Sequence, residues 1–184
     1  MKHPSCNLKQ QGAVLAVSLI FLLVLTLLGI AGMQSTIMEE KMSGNMRDKA
    51  LAFQASESGL INGETHSQTL LSSTSPFLAN CTGGLCLPST TSTPIWSDAT
   101  KVNWGTATNT FAYGSTITAT NLGLISSQPQ YVVELLPEPP KGVGQSLATG
   151  KGNSISTVEI FRVTSRGLGG SANAPVMVQS VYKK

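Results

Sequence analysis

The chain has 184 residues, with 12 Lys and Arg against 9 Asp and Glu and a formal charge of +3; this fits one modest domain with at most one extra element, and excludes two separate enzyme domains. Charged residues make up 11%, well under the roughly one quarter usual in soluble domains, so neither a charge-driven disordered chain nor a basic nucleic-acid-binding arm fits, and no specific nucleic acid is expected as a partner. Two histidines, His3 and His66, and two aspartates, Asp48 and Asp98, leave few groups for acid–base or metal chemistry, so the composition points away from an enzyme.

The uncharged run from Ala13 to Met33, AVLAVSLIFLLVLTLLGIAGM, predicts a helix about 31 Å long at a rise of about 1.5 Å per residue, enough to cross a bilayer core. Lys2, His3 and Lys9 precede it, and the first charges after it are Glu39 and Glu40. The excess of Lys places the short N-terminal end in the cytoplasm and exports everything after Met33. A secretory signal peptide has a shorter apolar stretch closed by an A-x-A-like site, and this run offers only Gly29-Ile30-Ala31. A plain single-pass anchor needs the apolar stretch alone and gives no reason for the abrupt polar-to-apolar junction at Gln10-Gln11-Gly12-Ala13.

Helical periodicity continues past the apolar run. Met38, Met42, Met46, Ala50 and Phe53, then Leu60 and Ile61, recur every three to four residues and form one stripe, with Glu40, Lys41, Arg47 and Lys49 opposite. The stripe has two readings: packing against other subunits, or ordinary packing of the helix against its own domain. Gly29, Gly32 and Gly44-Asn45 are places for the helix to bend or loosen, and Gly59 and Gly63 favour an end near residues 63–70.

From Thr65 to Ser127 the chain is dense in Ser, Thr and Asn and reads as exposed loops, with Trp96, Trp104, Phe111 and Tyr113 as local packing anchors and one strand predicted at Gly114–Thr120. The segments Tyr131–Leu136, Thr157–Thr164 and Val176–Tyr182 are rich in β-branched and aromatic residues and predict an antiparallel meander. Alternation places Tyr131, Val133 and Leu135 on one face and Phe161 with Val163 on one face, over the helix. A long connection, Pro137–Ile155, joins the first two strands, and Arg166–Pro175 forms the turn into the last.

Chemistry motifs fail on their spacing. Gly144 and Gly150-Lys151 have five intervening residues where a phosphate-binding loop has four, and Gly152 replaces its Ser or Thr. Gly167-Leu168-Gly169 opens a strand, so no helix N-terminus follows to hold a pyrophosphate. Nucleophilic catalysis would rest on His66 alone, just beyond the predicted helix. No catalytic residue, metal site or cofactor is assigned.

A short hydrophilic leader ending in Gly, joined directly to an apolar helix, resembles the class III leader of type IV pilins. The segments MEEKMSGNMRDKALAFQASE and FRVTSRGLGGSANAPV narrow the likeness to the PilX-type minor pilins, at the front and back of the chain, with the middle unmatched. The resemblance implies an α+β, pilin-like fold: a long N-terminal helix, apolar in its first half, packed on a small antiparallel β-sheet with long loops. It implies residues 1–12 as leader, 13–33 as transmembrane and filament-core helix, 34–66 as its amphipathic continuation, and 67–184 as the periplasmic or surface domain. A prepilin peptidase would cut between Gly12 and Ala13 and methylate Ala13. Other minor pilins, the major pilin and a PilY-type tip adhesin are the implied partners, with the inner membrane of a Gram-negative bacterium as the station before assembly on the cell-surface pilus.

One residue departs from the pilin pattern. Most pilins carry Glu at the fifth mature position, thought to neutralise the amino terminus of a neighbouring subunit, and here that position is Val17. A buried carboxylate is tolerated only beside a partner amine, and a subunit at the extreme tip has no such neighbour. The departure therefore fits a priming or tip-proximal subunit, and it equally fits a simple membrane anchor. A type II secretion pseudopilin and an unprocessed membrane-anchored periplasmic domain are the two alternative readings; the pseudopilin is expected to carry an inserted domain for which this chain has little room.

With Cys6 in the leader, the mature chain keeps Cys81 and Cys86. Four residues including Gly83-Gly84 separate them, a spacing that turns back on itself and suits a disulfide in an oxidising periplasm. The alternative, half of a metal site, lacks a second Cys pair.

Overall fold

In the computed structural model, residues 13–137 and 159–184 are described; the leader with Gly12, and the connection predicted at Pro137–Ile155 beyond its first residue, lie outside them. Helix α1 runs Ala13–Thr69. Strands β1 (Leu85–Cys86), β2 (Phe111–Ala112), β3 (Gln130–Leu136), β4 (Ile160–Leu168) and β5 (Pro175–Lys183) follow. By its contacts the chain divides into two units, Met1–Asn45 and Met46–Lys184.

In the first unit the described residues, from Ala13 onward, are helical and exposed throughout. An 18-residue window of this helix has a mean hydropathy of 2.9. The two hydroxyls inside the apolar run do not interrupt it. Ser18 Oγ donates to the Leu15 carbonyl at 2.9 Å and Thr26 Oγ1 to the Leu23 carbonyl at 2.8 Å, which satisfies both without water.

In the second unit the sheet order is β1-β3-β4-β5, with β2 also on β3. β3, β4 and β5 are antiparallel, whereas β1 runs parallel to β3 with Leu85 opposite Val133. The sheet is thus mixed, because the chain between Cys81 and Cys86 turns sharply and delivers Leu85–Cys86 alongside β3. Tyr131, Val133, Phe161 and Val163 share one face and form the main core with Leu60, Leu71, Phe77 and Leu85. A second cluster, Cys81, Cys86, Ile95, Val102 and Val132, covers the other face of β3.

Three expectations are corrected. Gly114–Thr120 is not a strand, and the pairing partner of β3 is the shorter Phe111–Ala112 just before it. β4 extends to Leu168, so Arg166 and Gly167 belong to the strand and not to the turn. Of the predicted stripe only Leu60 packs under the sheet; Met46 is 66% exposed and Phe53 50%. The buried residues of the helix are Ala52, Ala55, Ser56, Gly59, Leu60, Asn62, Gly63, His66 and Ser67, and the small ones among them sit where the sheet comes too close for longer side chains.

Candidate functional site

Two surfaces stand out among the described residues: the exposed apolar helix, and the seam that fixes its continuation to the sheet. On the first, Ala13, Val17, Phe21 and Leu25 lie at four-residue spacing on the same side of α1. Val17 is 61% exposed. The described residues thus place an apolar side chain, with no acid, one turn beyond Ala13.

The seam is built from glycines on both sides. A Cβ at Gly63 would lie 2.6 Å from Val163 Cγ1 and 2.9 Å from Tyr131 Cδ2, and one at Gly59 would strike the Ser165 hydroxyl and Pro129. From the sheet side, a Cβ at Gly167 would collide with the helix backbone at Ala52 and Ser56, and one at Gly169 with Asp48. Ser56 Oγ donates to the Ser165 carbonyl at 3.1 Å across this contact. Asp48 closes its outer end, where its carboxylate accepts the Ser171 backbone N–H at 3.1 Å and the Ser171 hydroxyl. These bonds hold the Asp48 carboxyl below its ordinary pKa of 3.8.

Deeper in the seam is a polar knot. Tyr131 Oη lies 3.2 Å from His66 Nδ1 and bonds the Thr116 hydroxyl. Phe111 meets His66 edge-on at 4.7 Å and stacks on Tyr131 at 5.2 Å. Burial lowers the His66 pKa and pushes that of Tyr131 up to about 12, the latter against the opposing Thr116 bond. Both are therefore neutral near pH 7. Asn62 Nδ2 donates to the Ile117 carbonyl at 3.0 Å, so the helix holds the Thr116–Ile117 loop at Ile117 while β3 holds it at Thr116 through Tyr131. His66 is thus an interior packing residue, with no serine–acid pair arranged around it among the described residues.

The cysteines flank the second cluster. The Cys81 and Cys86 sulfurs lie at disulfide distance, 2.16 Å, and both residues are fully buried. Cys81, Gly83 and Gly84 all take positive φ, the turn that lets so short a loop close. Phe111 fills the space beside Gly84, where a Cβ would meet its ring at 2.6 Å. Trp104 Nε1 donates to the Trp96 carbonyl at 2.9 Å, local packing of the loop region. Next to the cluster, burial raises the pKa of Glu134, and Arg162, 3.3 Å away, opposes that shift.

Sequence reasoning missed Asp48 and Ser171 as partners, and it took Gly59, Gly63, Gly167 and Gly169 for punctuation. The available signal was spacing: Ala52, Ala55, Ser56, Gly59 and Gly63 recur every three to four residues, a stripe of small side chains on one helix face. The segments RDKALAFQASESG and FRVTSRGLGGS, read only as signatures of resemblance, are the two halves of this one contact.

Two family models match the chain. One, described as PilX N-terminal, covers residues 11–60, and the other, described as Type IV pilus assembly protein PilX C-term, covers residues 82–184. The second reaches well into the middle that had no recognisable likeness. No curated protein and no solved structure matches.

Proposed function

The chain belongs to the PilX family of type IV pilus assembly proteins, and from that membership we propose that it is a minor pilin that primes pilus assembly near the tip and so supports twitching motility and adhesion. The observation that carries this reading is an exposed, uncharged helix inside the family match: the match covers residues 11–60, α1 is exposed from Ala13 to Asn45, and the first charge after Lys9 is Glu39.

A prepilin peptidase cuts Gly12–Ala13 and methylates Ala13. The apolar helix is retained in the inner membrane, single pass, with its N-terminus cytoplasmic. It then moves into the filament on the cell surface of a Gram-negative bacterium, where neighbouring helices replace lipid around it. Both surroundings are apolar, so this transfer rests on side-chain packing more than on burial from water. Val17 places no carboxylate in that environment, which suits a subunit with no amine above it. Residues 34–66 and 67–184 form the exported part, its loop Cys81–Cys86 closed by a disulfide in the periplasm. Its partners are other minor pilins, the major pilin and a PilY-type tip adhesin.

Intact-mass and N-terminal analysis of the native protein tests the processing on which this depends. Removing Lys2 and Lys9 leaves 10 basic against 9 acidic residues, so the formal charge falls from +3 to +1. A methylated chain beginning at Ala13 is expected; one beginning at Met1 or near Gly32 contradicts the reading.

A further inference from the structure

Among the described residues the outer edge of β5 carries unpaired backbone groups, because β5 pairs only with β4. The paired ends fix which groups face inward. Glu159 and Lys184 exchange both backbone bonds, at 3.2 and 2.9 Å, and the Gly169 N–H reaches the Ala174 carbonyl. Hydrogen-bonded pairs recur every second residue of an antiparallel ladder, so Val176, Val178, Ser180 and Tyr182 point their backbone groups at β4. Met177, Gln179, Val181 and Lys183 point theirs away, with the carbonyl of Pro175. These five outward residues are also the ones whose side chains are exposed, Val181 at 62% and Met177 at 39%. Val176–Tyr182 contains no charge.

This edge is complementary to itself. Antiparallel pairing of two copies about Gln179 sets Met177 opposite the second copy's Val181, Gln179 opposite Gln179, and Lys183 opposite Pro175. Every outward N–H from Met177 to Val181 then meets an outward carbonyl, both apolar side chains find apolar partners, and the two Lys183 ammonium groups stand at opposite ends. Moving the centre to Val181 shortens the ladder, and moving it to Lys183 sets like charges face to face. Pro175 at one end and Lys183 at the other guard the edge against unspecific pairing, and the register about Gln179 is the one they permit at full length. We infer that β5 is a homotypic docking edge at which a second copy of this chain pairs through a two-fold about Gln179 to continue the sheet.

The two-fold is isologous and lies normal to the sheet, so it reverses every element in the sheet plane. The paired copies carry their Met46–Thr69 segments antiparallel. One strand per copy keeps the contact in the small, transient class, below roughly 1,200 Å², so it calls for trapping rather than simple sizing.

The test uses full-length protein in detergent, in a Cys6→Ser background, under mild oxidation. Gln179→Cys is expected to give a disulfide dimer, and a mixture of Met177→Cys and Val181→Cys chains a dimer of one with the other, while Lys183→Cys alone stays monomeric. Gln179→Pro removes only an outward N–H and leaves the β4 ladder intact; added to Met177→Cys and Val181→Cys chains, it should abolish their cross-link while the thermal transition is retained. Equal cross-linking of Lys183→Cys, no dimer from Gln179→Cys, persistence of the cross-link in the proline variants, or capture in cells of a different pilus protein by Gln179→Cys would each overturn the homotypic assignment. None of these outcomes bears on leader cleavage, so the two readings fail separately.

Discussion

A glutamate at position 17 would enter the helix one turn beyond Ala13, the proposed mature amino terminus, inside an apolar run. Burying that carboxylate costs several kcal/mol unless an amine pairs it. At a tip position none does, so Val17→Glu is expected not to raise the number of pili per cell; incorporation of this variant along the shaft would show that the tip placement is wrong. The seam glycines give a second contrast. A methyl at Gly167 has only backbone to displace, which costs about 1–3 kcal/mol, while Gly44 has nothing within 4 Å and gains up to about 1 kcal/mol of helix propensity as Ala. Thermal unfolding in detergent should therefore show Gly167→Ala melting earlier than wild type and Gly44→Ala no earlier. His66 provides the pH dependence. Its folded pKa is lowered from 6.5 by burial, so the folded state binds fewer protons than the unfolded one. Stability is full above pH 6.5 and declines as pH falls through that value, by at most about 1.4 kcal/mol per unit. His66→Gln should flatten the slope between pH 7 and 5; an unchanged slope would place the acid sensitivity elsewhere.

At the scale of elements, the disulfide loop anchors β1 and the cluster of Ile95, Val102 and Val132. Opening so short a loop releases about 2 kcal/mol of unfolded-chain constraint at most. With both cysteines fully buried, native protein should resist thiol labelling after exposure to reductant until it is unfolded, and labelling of folded protein would contradict that burial. The long helix and the three main strands were legible because their signals are local: an uncharged run, alternation, and β-branched segments between Pro and Gly. The face that packs was not. Hydrophobic periodicity favours the large residues Met46 and Phe53, but close approach of helix and sheet selects Ala52, Ser56, Gly59 and Gly63, whose contribution is their lack of bulk. Asp48 was equally hidden, since its partner Ser171 is 123 residues away in sequence and nothing local links them. Among the predicted site residues, Cys81 and Cys86 were readable from number and spacing. Gly12 and Ala13 as a processing site rest on family likeness alone, because a polar-to-apolar junction by itself serves an anchor equally well.

For the whole molecule, the proposed function divides labour along the chain: residues 13–33 would enter the filament, and the domain held by the glycine seam would complete the start of assembly. A subunit that primes assembly shifts the balance between growth and retraction, whereas one needed to make or export the major pilin acts before that balance exists. Removing only residues 65–184 should behave like full deletion, since the remaining helix inserts but carries no domain. The decisive measurement is the number of surface pili per cell in the deletion strain, with and without the retraction motor, alongside membrane levels of the major pilin. Loss of most pili and of twitching motility at unchanged major pilin, with partial return of pili once retraction is blocked, is the expected result; normal pili and motility without this chain would contradict an assembly role.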